Sequence, residues 1–295
     1  MSAQRPADNR ATLVATAIAG RIAPPRLHGE TLAHDREGRA FFLPGAGGVN
    51  LGVHAGDPID RWEADHLMVG AAIEDAEAAP AAPGALHLLG CIGNRVRDAQ
   101  GSLLGVVAGK RGGLAPGHFA PNLLSVEIDD LPLASLSPGE RVVVEAIGCG
   151  LALTDWPDIA LFNTSPRLLD ALPIKQAARL EVDVCAIVPA RVAGAGLGTD
   201  AWIGDLEITE PEPLEGNVSD LCFGDLVAFA DIDTRAGRYY RPGHVAIGLV
   251  AHGPSPAPGH GPGITVLITG PATSLAARVA EDATVGSNLR HWSRG

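Results

Sequence analysis

The chain is poor in lysine: only two of its 22 basic residues are lysine, Lys110 and Lys175, and the other 20 are arginine. No block of basic residues is present, and the formal net charge is −12. This balance argues against a surface for nucleic acid or an anionic membrane. Aromatic residues make up only 4% of the chain, so we expect a core of Val, Leu, Ile and Ala.

Long apolar runs are also missing, so we expect no membrane-spanning helix. Residues 1–23 lack a basic start followed by a clean apolar run, so we expect no signal peptide. The four cysteines are widely spaced, which favours free buried thiols over disulfides or a metal cluster. Together these features predict an acidic cytoplasmic protein with a small-molecule substrate, no nucleic-acid partner and no membrane partner.

Glycine and proline are abundant, with 37 and 23 residues, and they divide the chain into short segments. Most segments are rich in β-branched residues and are predicted to be strands. The predicted strands are Thr12–Ile18, Gly48–His54, Leu86–Ile92, Leu103–Ala108, Arg141–Ile147, Leu180–Val188, Leu226–Ala230, His244–Ala251 and Ile264–Thr269. The predicted helical regions are His66–Ala79, part of Pro157–Leu172, and Pro271–Glu281.

This pattern predicts an α+β, mainly β fold, with a compact barrel-like or sandwich-like core and a few short helices. Pro-rich connectors at 78–84 and 207–216 are too short to prove a domain boundary. We therefore expect residues 1–295 to form a single compact unit, with two intertwined subdomains, about 1–175 and 176–295, as the finer alternative. A chain with so many strands leaves edges to cover, and we expect a homo-oligomer.

Lys110 lies in a glycine-rich segment, Gly109-Lys110-Arg111-Gly112-Gly113, after a predicted strand. Converging backbone N–H groups and one amine would bind a carboxylate or phosphate. We therefore predict Lys110 as catalytic, with Gly109, Gly112 and Gly113 against the substrate. If it were buried, Lys110 would instead serve as a base or Schiff-base amine. The simpler alternative is a lysine on a surface turn.

Histidines form the second candidate group. His252 and His260 are joined by a loop that can fold back, and we predict both as ligands of Zn, Mn or Fe. The sequence Gly259-His260-Gly261-Pro262-Gly263 leaves little bulk around His260, as close approach of a ligand requires; the alternative is a well-packed turn. His66 is predicted as a general base and His260 as a further catalytic residue.

Asp65 precedes His66 and is predicted to contact substrate or metal, or else to cap a helix. Because adjacent residues point in different directions, we do not expect Asp65 and His66 to form a dyad by themselves.

Two further motifs follow predicted strands. In Cys91-Ile92-Gly93-Asn94, Asn94 is predicted to orient a substrate carbonyl and Cys91 to contact substrate, although a buried inert thiol is the alternative. The loop 194–198, Gly-Ala-Gly-Leu-Gly, lacks the spacing and the following helix of a dinucleotide-binding fingerprint. We therefore expect neither a nicotinamide nor a flavin cofactor.

These motifs, taken in order, resemble a bacterial and archaeal family known as domain of unknown function 4438. The resemblance runs from about Thr12 to Ala283. It is carried by 56–58 (Gly-Asp-Pro), 65–66 (Asp-His), 91–94, 109–113, 188–190 (Val-Pro-Ala), 194–198, 223–225 (Phe-Gly-Asp) and 259–263. The sequence departs from the family pattern at Arg111, where the family has histidine, and at 67–70, where a glutamate is expected. The resemblance implies a mainly β, α+β fold and no particular reaction.

The sequence leaves three functions open. The first is a hydrolase of an amide or related C–N bond, with or without the assistance of a divalent metal. The second is a lyase or isomerase of a small carboxylate, with Lys110 as the anion clamp. The third is a ligand-binding protein without catalytic activity.

Overall fold

A computed structural model of the chain describes residues 5–25, 33–76, 84–112, 122–194, 200–209, 215–216, 220–237 and 239–295. Its strands are β1 Thr16–Ile22, β2 Ala33–His34, β3 Ala40–Phe41, β4 Ala71–Asp75, β5 Arg95–Asp98, β6 Leu103–Arg111, β7 Leu123–Glu127, β8 Arg141–Ala146, β9 Ala160–Leu161, β10 Ile174–Gln176, β11 Leu180–Val184, β12 Ala186–Pro189, β13 Leu206–Glu207, β14 Glu215–Gly216, β15 Leu226–Asp233, β16 Tyr239–His252, β17 Gly263–Pro271 and β18 Leu275–Val279. Its α-helices are α1 Ala85–Leu89, α2 Asp130–Leu133, α3 Pro166–Ala171 and α4 Gly286–Ser293.

The first half of the chain forms a closed barrel with the strand order β1-β4-β7-β6-β5-β8, in which β8 returns to pair with β1. All neighbouring pairs in the barrel are antiparallel. Apolar side chains such as Ile73, Val106, Leu124 and Val144 are fully buried. Closure leaves none of the six barrel strands with a free edge, which is the usual advantage of a barrel.

The second half is built on a mixed sheet with the order β13-β17-β16-β15-β12-β14, and β9 pairs with β17. Its centre is the long strand β16, whose second half is buried between β15 and β17. A smaller sheet, β10-β11-β18, lies beside it.

Strand β6 joins the barrel to this second sheet. The backbone N–H of Lys110 donates to Thr265 Oγ1 of β17 at 3.0 Å, and this hydroxyl donates to the Lys110 carbonyl, also at 3.0 Å. A Cβ on Gly109 would lie 2.6 Å from the Cβ of Ala251. Gly109 is therefore needed for β6 to lie this close to β16. The end of β6 is in this way held against the end of β16.

The predicted α+β, mainly β class is confirmed, and a short helix, α3, lies within the predicted region 157–172. Four assignments were wrong. Region 86–92 begins as helix α1, because the carboxylate of Asp75 accepts the N–H of Leu86 at the start of the helix. Region 66–79 contains strand β4, since a short run buried on all sides does not distinguish strand from helix by periodicity.

The third wrong assignment is region 271–281, which contains strand β18 rather than a helix. Its alanine-rich sequence favours a helix. The parallel pairing with β11, from Leu180 opposite Leu275 to Val184 opposite Val279, overrides that preference. Region 48–54 is also mostly turn rather than strand.

The cysteines are free, but only Cys91 is buried and Cys149 is exposed, so burial of all four was not correct. Among the helices described, none has the length and apolar character needed to cross a membrane.

Candidate functional site

Three histidines that are distant in sequence meet where the barrel contacts the second sheet. The ring centroid of His66 lies 5.0 Å from that of His252 and 5.3 Å from that of His260. His252 is the last residue of β16 and is fully buried. We call the set His66, His252, His260, Asp65, Asp205, Glu207 and Arg111 the histidine cluster.

Sheet register explains how a carboxylate reaches these histidines. Glu207 of β13 and His252 of β16 both pair with Gly263 of β17, one from each side. Residues aligned across neighbouring strands direct their side chains to the same face of a sheet. Glu207 and His252 therefore lie on either side of a residue that has no side chain.

The glycines of the 259–263 motif make this arrangement possible. A Cβ on Gly263 would lie 1.9 Å from Nε2 of His252, and a Cβ on Gly261 would lie 1.7 Å from the carbonyl oxygen of Ile208. The N–H of Gly261 also donates to Glu207 Oε2 at 3.1 Å. The motif thus provides space for His252 and a backbone donor for Glu207.

His66 is held by its own neighbour. Its φ is +55°, a left-handed conformation that is uncommon outside glycine and is often found at functional sites. In this conformation His66 Nδ1 lies 2.7 Å from Asp65 Oδ1. Asp65 therefore orients His66, and our expectation that the adjacent pair would not form a dyad was wrong. Asp65 is a partner of His66 and caps no helix among the residues described.

The first group of converging atoms is His66, Glu207 and His260. His66 Nε2 lies 3.4 Å from His260 Nδ1 and 3.8 Å from Glu207 Oε1. His260 Nδ1 lies 3.2 Å from the same oxygen. Atoms that share a tetrahedral zinc ion at 2.0–2.1 Å are about 3.4 Å apart. These three separations scatter around that value, so the three side chains could hold one ion.

The second group is Asp205, Glu207 and His252, all buried, with one ligand atom from each lying within 4.8 Å of the others. His252 Nε2 is 2.7 Å from Asp205 Oδ2. His252 Nδ1 is 2.8 Å from the carbonyl oxygen of Gly253. Both ring nitrogens of His252 therefore face oxygen acceptors.

Arg111 adds a buried positive charge to the histidine cluster. Burial lowers the pKa of Arg111, and the nearby Asp205, Glu207 and Asp65 offset part of that effect. Burial, followed by the charge of Arg111, lowers the pKa of His66 to about 3 despite its bond to Asp65. His66 is therefore a neutral imidazole, the form in which histidine binds metals.

The other two histidines differ. The hydrogen bond with Glu207 is the largest effect on His260, and it raises the pKa of that ring above its ordinary value. Burial lowers the pKa of His252, but Asp205 and Glu207 outweigh burial and the net pKa is raised.

A pocket of about 450 Å³ opens beside His260. The turn 35–39, residues 208–209 and the loop 254–262 line it. The side chain of His260 is 19% exposed, whereas that of His252 is fully buried. His260 therefore connects the pocket with the interior of the cluster, and the pocket is of a size that suits a small molecule.

Lys110 lies apart from this group. It is fully buried in β6, so the surface-turn alternative was wrong. Its ammonium donates to the carbonyls of His87 at 2.6 Å, Trp202 at 3.2 Å and Leu88 at 3.4 Å. Burial lowers its pKa to about 8. An ammonium has three N–H donors, and each of the three has a backbone acceptor here.

Cys91 and Asn94 form a hydrogen-bonded turn in a different place. Asn94 Oδ1 accepts from the backbone N–H of Cys91 at 2.8 Å, and its amide donates to the carbonyl of Ile147 at 2.8 Å. Burial raises the pKa of the Cys91 thiol to about 12, so the thiol stays protonated at neutral pH. Within the described ranges, no hydrogen bond or ion pair links Lys110, Cys91 or Asn94 to the histidine cluster.

Two of the predicted substrate-binding glycines are described. Gly109 packs against Ala251, and the N–H of Gly112 lies 3.3 Å from Asp205 Oδ1, at the border of the cluster. Gly113 and the loop 195–199 lie outside the described residues.

Asp205, Glu207 and Arg111 are members of the cluster that were not predicted as site residues, although Asp205 and Glu207 are carboxylates close in sequence to the loop 194–198. Asp205 and Glu207 are two residues apart in an extended segment, and this spacing places two side chains on one face. That spacing was the available signal, but the segment resembled an acidic, Pro-rich connector.

Comparisons with known proteins agree with this architecture. The N-terminal and C-terminal models of the domain of unknown function DUF4438 match residues 33–170 and 171–289. The chain belongs to this family. The predicted resemblance is thereby confirmed. The crystal structure of TM1086 is 32% identical to this DUF4438 protein, with a TM-score of 0.87, and the match covers 97% of this chain and 100% of that chain. No curated protein matches the chain.

Proposed function

We propose that the protein is a cytoplasmic, metal-dependent hydrolase that cleaves an amide or related C–N bond of a small molecule. The observation that carries the metal site is the convergence of His66 Nε2, His260 Nδ1 and Glu207 Oε1, at separations of 3.2–3.8 Å beside a pocket. Three protein ligands and an open fourth position are the usual arrangement of a catalytic zinc.

Charge supports the same proposal. Asp65, Asp205 and Glu207 are three buried carboxylates, and Arg111 is a buried guanidinium beside them. The formal sum over these four groups is −2. Buried charge is costly unless it is compensated. A divalent cation at the first group would compensate this charge in the state in which His252 and His260, whose pKa values are raised by Asp205 and Glu207, are neutral.

The protein side chains have distinct roles in the proposed reaction. Asp65 fixes the His66 ring so that its Nε2 lone pair faces the site, the outer-shell arrangement common to metal-bound histidines. His66, Glu207 and His260 would hold a divalent cation, which when bound would lower the pKa of a water molecule toward neutrality. Water adds to the substrate carbonyl carbon, the C–N bond breaks, and the proton of the water goes to the leaving nitrogen. Arg111 provides a fixed positive charge for the developing oxyanion.

The test compares protein stripped with a chelator against protein reloaded with Zn²⁺, Mn²⁺ or Fe²⁺, using a panel of small amides, lactams and cyclic ureides. Glu207→Gln should retain less than about a tenth of the wild-type metal and no measurable hydrolysis. His54→Gln is the matched control, because His54 also bonds to buried Glu127 but lies outside the cluster. Equal metal content in Glu207→Gln and wild type would contradict the proposal.

A lyase or isomerase of a small carboxylate is the second candidate, because Arg36 and Arg39 line the pocket beside His260. Arginine guanidinium groups bind carboxylates in a bidentate manner. In this candidate, the pocket arginines replace Lys110 as the anion clamp. Reaction in ¹⁸O-labelled water separates the two functions, since only hydrolysis incorporates the label in the product. A protein that binds ligand without turning it over would incorporate none and convert none.

A homo-oligomer remains a prediction, which light scattering tests.

A further inference from the structure

His252 requires a cation at its Nε2. Its Nδ1 lies 2.8 Å from the carbonyl of Gly253, which can only accept a hydrogen bond, so Nδ1 carries a proton. A neutral imidazole has one N–H, which leaves a lone pair on Nε2. That lone pair faces the Asp205 carboxylate at 2.7 Å. Two lone pairs at this distance need a positive charge between them, either a proton or a metal ion.

The 2.7 Å separation is a hydrogen-bond length, shorter than the about 3.4 Å between two ligands of one zinc ion, so a metal ion that replaces the proton must also move Asp205 away from His252. The groups around Nε2 nevertheless include further ligands for a metal ion. Glu207 brings a second carboxylate to the same place, so that His252, Asp205 and Glu207 each offer a ligand atom within 4.8 Å of the others. All three side chains are at least nine-tenths buried. The bond from Nδ1 to a backbone carbonyl is the outer-shell contact that metal-bound histidines commonly make.

We infer that Asp205, Glu207 and His252 form a second divalent-cation position, and that Glu207 bridges it to the position formed by His66 and His260. The two positions share one carboxylate, and the rings of His66 and His252 are 5.0 Å apart between centroids. Catalytic pairs of metal ions stand about 3.5–4 Å apart, which a bridging carboxylate can span. The inference rests on the proposed function, because it assumes that the first position holds a metal.

Gly263 gives independent support from the backbone. A Cβ at this residue would lie 1.9 Å from His252 Nε2 and 2.3 Å from Cδ2 of the same ring. The absence of a side chain therefore keeps the metal-binding nitrogen, rather than the ring carbons alone, clear of the neighbouring strand. Gly263 also separates Glu207 from His252 in the register.

The experiment counts metal ions. Full-length protein is stripped with a chelator, reloaded with excess Mn²⁺ or Zn²⁺, freed of loose metal by gel filtration, and analysed by inductively coupled plasma mass spectrometry. We expect a ratio of about two ions per chain in wild type, by analogy with two-metal sites. His252→Ala and the milder Asp205→Asn should each retain half of the wild-type content, as should His66→Ala. His54→Ala, outside the cluster, should retain all of it.

Electron paramagnetic resonance of the Mn²⁺-loaded protein gives a second readout that does not depend on activity. Wild type should show the spectrum of an exchange-coupled pair, and Asp205→Asn that of an isolated ion. Circular dichroism confirms that each variant is folded before its metal content is interpreted.

The possible failures are distinguishable. If wild type and Asp205→Asn both bind a single ion that His66→Ala loses, a proton occupies the His252 position and the inference is overturned, while the proposed function stands. If wild type binds no ion, the proposed metal site and the inference both fail.

Discussion

Among the described residues, the cluster around His54 and the histidine cluster both pair buried histidines with carboxylates, but they are built differently. In the cluster around His54, Nδ1 lies 2.8 Å from Glu127 Oε1 and Nε2 lies 2.8 Å from Asp130 Oδ1. The two nitrogens of one ring point in opposite directions, so each carboxylate has its own nitrogen. In the histidine cluster, nitrogens from different rings point toward one another and toward the shared carboxylate of Glu207.

This difference separates a structural cluster from a candidate binding site. A proton on each nitrogen satisfies His54 completely, and the resulting ion pairs link His54 to Glu127 of β7 and to Asp130 of α2. Convergence on Glu207 instead brings ligand atoms to the separations of a metal coordination shell. Histidine content and burial are therefore poor guides by themselves, and the direction of each ring nitrogen is the informative quantity.

The largest effect should come from Gly263→Ala, which tests whether metal binding depends on the convergence of the histidine nitrogens on Glu207. The new Cβ would lie 1.9 Å from His252 Nε2, so the ring must move. We expect a loss of about 1–3 kcal/mol in the free energy of unfolding, as for other over-packed sites, together with a large loss of bound metal. Urea unfolding and metal analysis measure the two effects.

Gly248→Ala is the matched control for this variant. Its Cβ would lie 2.4 Å from the carbonyl of Thr265, in the same strand pair but against backbone instead of His252. It should lose comparable stability and keep its metal. If both variants lose metal equally, general destabilisation and not the position of His252 accounts for the effect.

Asp65→Asn should have the next largest effect. An amide cannot hold His66 with the strength of a carboxylate, so the ring loses part of its orientation and basicity. Mutation of such outer-shell partners typically lowers metal affinity by about 10–100-fold. Competition with a chelating dye measures the affinity. Glu127→Gln makes the equivalent change at His54 and should leave metal affinity unaltered; an equal loss in both variants would remove the distinction between the clusters.

How far the sequence predicts this site depends on the kind of contact. Three histidines of the cluster could be predicted from local patterns. The motif Gly259-His260-Gly261-Pro262-Gly263 indicated His260 and, through the preceding loop, His252, and Asp65-His66 indicated the third histidine. In these patterns glycine indicates space for a ligand, and histidine indicates a metal ligand or a base. Glu207 could not be found in this way. It joins the cluster through the register of β13, β17 and β16, and register depends on contacts between distant segments.

Lys110 and Arg111, which are neighbours in the chain, show the same limit on predicting the site from local sequence patterns. The sequence drew attention to Lys110 because lysine is rare, but successive residues of a strand point to opposite faces. Lys110 points to the carbonyls of His87 and Trp202, and Arg111 to the carboxylates. The fold class followed from composition and strand patterns. The misassigned segments 66–79 and 271–281 are those in which pairing with distant strands decided the structure.

A smaller effect should appear in the pH dependence of stability at the His54 cluster. Burial lowers the pKa of His54, but the hydrogen bonds with Glu127 and Asp130 outweigh it, so the net pKa is raised. A histidine whose pKa is higher in the folded state stabilises fully below its unfolded pKa of about 6.5, and this contribution is lost as the pH rises through the folded value. Burial also raises the pKa of Glu127, which acts in the same direction.

His54→Gln should therefore flatten the decline in stability as the pH rises. Relative to wild type, we expect the difference in unfolding free energy between pH 6 and pH 9 to shrink. Urea denaturation at several pH values measures this slope, and His291→Gln, at an exposed histidine of α4, provides the control. An unchanged slope in His54→Gln would mean that His54 is neutral in the folded protein.

Lys110→Met should have the smallest effect on the site, although it removes a fully buried charge. The ammonium bonds only to backbone carbonyls among the described residues, and its pKa is lowered to about 8 by burial. Because a lowered lysine pKa means that the charged form is costly in the folded state, the native lysine lowers stability below about pH 8, and this cost fades as the pH rises toward 10.4. Methionine removes the cost but leaves the carbonyls of His87, Leu88 and Trp202 without this donor, so the two effects on stability oppose each other.

Metal content and turnover in Lys110→Met should stay within about twofold of wild type, since a change that affects only stability does not alter the stabilisation of the transition state. A selective loss of turnover, with metal and folding intact, would instead favour the lyase with Lys110 as its anion clamp, and would move the chemistry from the Arg111 face of β6 to the Lys110 face.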